Sequence, residues 1–156
     1  MARTTFERDK DLKRTILIVD DESINREILG FIVSHEYDVL YAENGKEALN
    51  LIHNDSFSIS LILLDLLMPE MDGYEVLKIL SKEDRYNHIP VIVLTSEKQA
   101  EVKSLELGAV DFITKPYDTP EVIMARISRS IELAESMQII QATERDYLTG
   151  LFTRDY

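Results

Sequence analysis

Short apolar runs alternate with amphipathic stretches along most of the chain. The runs are Thr15 to Asp20, Tyr37 to Glu43, Leu61 to Asp65, Ile89 to Thr95 and Val110 to Ile113. The first, third and fourth are almost continuously apolar, the pattern of parallel strands covered on both faces. The stretches between them carry helix starts. Asn44 with Glu47, Asp72 with Glu75 and Ser96 with Gln99 have the spacing of capping boxes. Gly108 closes the helix that follows Ser96, and Thr119 followed by Pro120 opens the last one. After Asp21, apolar residues recur at helical spacing at Ile24, Ile28 and Phe31 to Val33. Five β-α pairs in succession predict an α/β fold, a doubly wound five-stranded parallel sheet. Right-handed crossovers then bring the C-terminal ends of the strands to one rim, where such sheets bind ligands.

The last helix is longer than this architecture needs. No glycine or further proline interrupts the chain between Pro120 and Gly150. Helical to about Arg145, it would extend about 40 Å, beyond what a compact five-strand domain can cover. Met124, Ile127, Ile131 and Ala134 follow a 3-4-3 spacing, and Met137 and Ile140 continue it on a shifted seam. This predicts a helix packed on its own sheet through Ala134, then a stalk that pairs with a second copy. The expected organisation is a polar extension over 1–14, one domain over 15–134, a helical stalk over 135–145 and a separate terminal segment over 146–156.

Composition narrows the chemistry. The formal net charge of −12 argues against a general nucleic-acid or anionic-membrane surface. There is no cysteine, which removes disulfides, thiolate metal sites and a cysteine nucleophile. The opening "MARTTFERDKDLKR" has no apolar h-region, and no apolar run is long enough to span a bilayer. The expected location is the cytoplasm. His35, His53 and His88 are scattered and form neither a metal cluster nor a triad.

What remains is a set of polar residues at strand ends. Asp20 and Asp21 close "TILIVDD", Asp65 closes "SLILLD", Thr95 ends "VIVLT" and Lys115 stands in "DFITKP". Strands ending this way deliver their last side chains to one rim. Asp65 precedes "LLMP", which does not start a helix, so it is a candidate nucleophile toward phosphorus. Asp21 could instead cap the next helix. Adjacent acids facing Asp65 would repel unless a divalent cation lay between them. Hard oxygen ligands favour Mg²⁺, and Mn²⁺ suits them too. Ser96 suits the cap position, leaving the Thr95 hydroxyl for the site. Lys115 would offset charge developing during transfer. A cis Lys115–Pro116 bond would account for the proline.

Taken in order, "VDD", "LLD" with "MPEMDG", "LTS" and "KP" resemble the receiver domain of two-component response regulators, of the CheY-like type, over about Thr15 to Ala134. The resemblance implies a flavodoxin-like fold and phosphorylation of Asp65 by a sensor histidine kinase or phosphotransfer protein. It implies Mg²⁺ held by Asp21, Asp65 and the Leu67 backbone carbonyl, with Asp20 acting through water. Thr95 would bond the phosphoryl oxygen and Lys115 would pair with it. Phe112, three residues before Lys115, occupies the family's switch-aromatic position. Leu67 and Glu97 fall at positions that tune phosphoryl lifetime. The end of the chain, "RDYLTGLFTRDY", resembles the entry to a GGDEF domain at Asp146, Leu148, Thr149, Gly150, Leu151 and Arg154. Thr153 replaces the usual asparagine. This second resemblance implies a diguanylate cyclase output beyond the fragment, with a homodimer formed through the C-terminal helix and a receiver face. The fragment itself would not be an enzyme in the usual sense. It would have no nucleic-acid or membrane partner.

Two other readings compete with this one. A haloacid-dehalogenase phosphatase needs an aspartate two residues after its nucleophile, but Leu67 follows Asp65 at that distance and Glu22 follows Asp20. A pseudo-receiver, an interaction module never phosphorylated, is opposed by the complete acidic set.

Overall fold

A computed structural model describes residues 13–117 and 119–153, with side chains described as far as residue 139. Five strands and five helices alternate. They are β1 Thr15–Val19, α1 Ser23–Val33, β2 Asp38–Ala42, α2 Gly45–Ile52, β3 Ile59–Asp65, α3 Gly73–Ser81, β4 Val91–Thr95, α4 Lys98–Glu106, β5 Asp111–Thr114 and α5 Pro120–Thr153. All strand pairs are parallel, in the order β2-β1-β3-β4-β5. This is the expected doubly wound sheet.

The continuous apolar runs of β1, β3 and β4 are explained by burial on both sides. On one face Leu17, Val19, Ile62, Leu64 and Val93 pack under α2 and α3. On the other, Ile16, Ile18, Leu61, Leu63 and Ile92 pack under α1 and α5. A slip of one residue in any central strand would exchange these sets, so the register is strongly specified.

Of the three capping pairs read from their spacing, two form. The Asn44 side chain accepts from the Glu47 amide at 2.8 Å and Asp72 from the Glu75 amide at 3.0 Å. The third does not. Glu97, in extended backbone, is the cap residue of α4, and it makes no side-chain capping bond. The Thr95 hydroxyl instead accepts from the Glu97 amide at 3.1 Å and donates to the Glu97 carbonyl at 3.3 Å. A hydroxyl two residues before an amide closes a tight local turn, and that turn leaves Ser96 outside the helix.

The α5 seam also differs by one position. Ile123, Ile127 and Ile131 are buried on the sheet, while Met124 is only partly covered. A fourfold spacing from Ile123 fits one helix face better than the expected start at Met124. The helix is 34 residues long, about 50 Å, and continues past both Arg145 and Gly150. Leu133, Met137 and Ile139 are exposed on it. Within the polar extension, the Arg14 guanidinium donates twice to the Glu135 carboxylate, at 3.0 and 2.9 Å, fastening the start of β1 to α5. Residues 1–12 of the polar extension and the side chains of the terminal "RDYLTGLFTRDY" lie outside the described residues. Among the described residues no helix is long and apolar enough to cross a membrane.

Candidate functional site

The C-terminal ends of β1, β3, β4 and β5 meet at one rim. Parallel pairing sets Val19 beside Leu64, Asp65 beside Leu94 and Thr95 beside Thr114. The residues that follow each strand are therefore gathered in one place. Asp20 is fully buried, and Asp65 and Thr95 are nearly so. Asp21 is exposed. One carboxylate oxygen from each of Asp20, Asp21 and Asp65 lies within 4.8 Å of the others. The Lys115 ammonium stands 3.4 Å from both Asp20 Oδ2 and Asp65 Oδ1. That is long for a charge-assisted hydrogen bond, so Lys115 is shared between two acids and committed to neither.

Each side chain is held from behind. Asp20 Oδ1 accepts from the Glu22 amide at 2.9 Å, and the Asp20 carbonyl accepts from Arg26 Nη1 at 2.7 Å. Arg26 also reaches Glu43 at 3.5 Å, tying the ends of β1 and β2 to α1. Asp65 Oδ1 accepts from the Leu67 amide at 3.4 Å. The backbone after Asp65 turns sharply: Gly73 N–H donates to the Leu66 carbonyl at 3.0 Å. A Cβ on Gly73 would lie 2.5 Å from the Asp65 carbonyl oxygen and 2.8 Å from Leu66 Cα. Only glycine allows that approach of α3 to the strand end. Glu70, within this loop, has φ 67°, in the left-handed region. The Lys115–Pro116 peptide is cis.

The electrostatics follow from crowding. Burial pushes the Asp65 carboxyl up from 3.8 to about 6, and the Asp20 charge adds to it. Lys115 and the Leu67 amide oppose that rise. Three carboxylates against one ammonium leave uncompensated negative charge in a partly dry site. The donor set is all hard oxygen, with no histidine or cysteine. It fits a divalent cation of the magnesium class.

Of the predicted residues, Asp20, Asp21, Asp65 and Lys115 are brought into one cluster. Thr95 reaches the same rim, but its hydroxyl is engaged with Glu97 and is not free as expected. Leu67 contributes its amide to Asp65, and its side chain is exposed. Phe112 sits on β5, half-buried against the core, with the Arg126 guanidinium 5.9 Å from its ring centre. Asp21 does not cap α1, whose cap residue is Glu22. Three contributors escaped the sequence reading. Arg26 gave no signal, because a cation in a first helical turn is usually solvated. Gly73 had one, the "MDG" before an apolar helix. Tyr117 had none: it is partly buried against the core on the α1 and α5 side of the sheet, and its buried hydroxyl makes no hydrogen bond.

Known proteins match most of this chain in sequence and in fold. The model of the response regulator receiver domain matches residues 16–128, more than half of the chain. A protein of Vibrio cholerae named a probable cyclic di-GMP phosphodiesterase is 38% identical over 136 residues, 86% of this chain and 30% of its own length. A probable transcriptional regulatory protein of Picosynechococcus is 30% identical over 150 residues, 91% of this chain and 57% of its own. The chain thus spans about a third to just over half of these two relatives. The crystal structure of the signal receiver domain of a histidine kinase from Syntrophus aciditrophicus superposes with a TM-score of 0.68 at 38% identity. That match covers 76% of this chain and 90% of the other.

Proposed function

This chain belongs to the response regulator receiver domain family, and from that premise we propose that Asp65 is its phosphoacceptor. The observation that carries the reading is the cluster itself. The carboxylates of Asp20, Asp21 and Asp65 converge within 4.8 Å, with Lys115 equidistant from two of them. In the transfer, an Asp65 carboxylate oxygen attacks the phosphorus of a kinase phosphohistidine. The P–N bond breaks as the P–O bond forms, and the leaving imidazole nitrogen takes up a proton. Asp20, Asp21, Asp65 and the Leu67 carbonyl would hold Mg²⁺, which supplies charge neutralisation between the acids and the phosphoryl oxygens. Lys115 then turns from its shared position toward the new anion.

Phosphorylation adds negative charge and acceptor oxygens at Asp65. Thr95 must release Glu97 to reach them, which loosens the start of α4 and frees space for Phe112 to turn inward. The receiver is thus a two-state element biased by a local charge change. Residues 15–134 form this unit. Residues 135–145 act as a stalk pairing with a second copy, supported by the exposed Leu133, Met137 and Ile139 along a helix longer than its sheet. Residues 146–156 open a GGDEF output domain. A relative named a cyclic di-GMP phosphodiesterase supports cyclic di-GMP as the subject of that output, and measuring the nucleotide made or consumed by the longer protein decides between synthesis and breakdown.

The site reading is tested by titrating the protein with beryllofluoride, a phosphoryl mimic, with and without Mg²⁺. Saturable binding of one equivalent, dependent on Mg²⁺ and lost in Asp65→Asn, is the expected result. Binding that survives the substitution, or none in the wild type, would refute it and favour a pure interaction module.

A further inference from the structure

The three carboxylates at the rim are not held alike. Asp20 Oδ1 accepts from the Glu22 amide at 2.9 Å and Asp65 Oδ1 from the Leu67 amide at 3.4 Å, and both acids face Lys115. Asp21 is exposed, and its carboxylate makes no hydrogen bond or ion pair among the described residues. One of its oxygens nevertheless lies within 4.8 Å of the other two acids. Its place in the cluster is inherited from the backbone that carries it.

That backbone is the Asp20–Asp21 peptide. A peptide unit is planar and rigid, so the Asp20 carbonyl and the Asp21 amide turn together and take the Asp21 Cα with them. Arg26 Nη1 donates to the Asp20 carbonyl at 2.7 Å, and the Asp20 amide donates to the Ala42 carbonyl at 3.1 Å. Arg26 Nη2 stands 3.5 Å from Glu43 Oε1. These contacts close a ring that runs from Asp20 to Ala42, along the chain to Glu43, across to Arg26 and back to Asp20. The ring fixes both sides of Asp20 and sets the direction in which the chain leaves for Asp21. The Arg26 side chain is only 15% exposed, so water competes poorly for its bond to the carbonyl. Glu43 is largely exposed, and its longer contact orients the guanidinium more than it stabilises it. A rigid planar fork suits a side chain that reaches a carbonyl and a carboxylate at once.

We infer that Arg26 is a positioning residue for the divalent-cation site, placing the Asp21 carboxylate by holding the Asp20–Asp21 peptide. This role rests on the receiver reading above and adds a residue to it. Arg26 touches neither the cation nor the phosphoryl group. Without it the peptide plane turns more freely, and binding the cation must first gather Asp21 from solvent-facing positions, which weakens affinity.

Arg26→Met keeps an unbranched apolar stem and removes both donors. Mg²⁺ affinity of the full chain is read from amide chemical shifts for wild type, Arg26→Met, Asp21→Ala and the double variant. Mn²⁺, whose paramagnetic broadening reports sparse occupancy, is titrated in parallel so that weak binding without the Asp21 carboxylate is still measured. Arg26→Met should weaken binding about tenfold or more, the usual effect of losing a group that orients a metal ligand. In the Asp21→Ala background the same substitution should change affinity by less than about twofold, because the ligand that Arg26 places is gone. Equal weakening in both backgrounds would make Arg26 a general structural support and overturn the inference, as would unchanged affinity in Arg26→Met. If Arg26→Met fails to fold, Arg26→Lys takes its place in the same cycle under the same criteria. The metal-free proteins give a second readout. Backbone order at the Asp21 amide, from nitrogen-15 relaxation, should fall in Arg26→Met and stay unchanged at Leu66; unchanged order at Asp21 also overturns the inference. Wild type that binds Mg²⁺ and beryllofluoride while any of these criteria fails overturns this role alone. Wild type that binds neither overturns the receiver reading with it.

Discussion

Neutralising Asp65, the proposed phosphoacceptor, should stabilise the metal-free protein. The carboxyl is nearly buried and is pushed up from 3.8 to about 6, first by burial and then by Asp20. Below about pH 4 both the folded and the unfolded chain carry Asp65 protonated, and its contribution to stability is intact. As pH rises through about 6 the unfolded chain has already released this proton and the folded one is forced to follow. Stability is therefore lost with rising pH across this window. The separation corresponds to roughly 3 kcal/mol when complete. Asp65→Asn carries no charge at this position and should escape the loss. Urea midpoints in a chelator, measured from pH 4 to pH 8, give the test as a difference between the two proteins. The variant should match wild type near pH 4 and exceed it by about 1–3 kcal/mol at pH 8. Adding Mg²⁺ at pH 8 should then stabilise wild type and leave the variant nearly unchanged. A difference that stays constant from pH 4 to pH 8 would refute the reasoning, as would a variant less stable than wild type at pH 8.

Other consequences follow from the same geometry. Gly73→Ala forces a methyl group against backbone atoms of Asp65 and Leu66, so it should cost about 1–3 kcal/mol and weaken Mg²⁺ binding; denaturation midpoints and calorimetry read both. Lys115→Met removes the cation that opposes the rise at Asp65, so the Asp65 carboxyl-carbon titration should move to still higher pH in the metal-free protein, and a downward move would count against the shared-cation description. The stalk predicts a concentration-dependent dimer by sedimentation for the full chain and a monomer for one ending at Ala134; identical behaviour of the two would remove the helix from the interface.

Much of the fold was legible because its signals are local and repeated. Asn44 and Asp72 are short polar side chains three residues before Glu47 and Glu75, and both cap as that spacing implies. The buried runs of β1 and β3 could be read because two-sided burial excludes polar residues until the strand ends. Where two local solutions competed, the sequence did not decide. Thr95 and Ser96 are both hydroxyl residues before α4, and the turn at Thr95 captures the Glu97 amide first. On α5 the pattern pointed to Met124 as the first buried position, and packing on the sheet selects Ile123 instead. The acidic cluster was legible because each member terminates an apolar run and parallel strands share one rim. Its supports were not. The Arg26 bond to the Asp20 carbonyl and the burial of the Tyr117 hydroxyl depend on how α1 and α5 lie against the sheet, which no spacing along the chain encodes.

If the acidic rim makes Asp65 the phosphoacceptor, a small phosphodonor suffices to load it. The most direct test is to incubate the protein with acetyl phosphate and Mg²⁺, digest it, and locate the added group by tandem mass spectrometry. One phosphoryl group is expected, on the peptide carrying Asp65, absent without Mg²⁺ and absent in Asp65→Asn. A phosphoryl group on another residue, or none on the wild type, would contradict it.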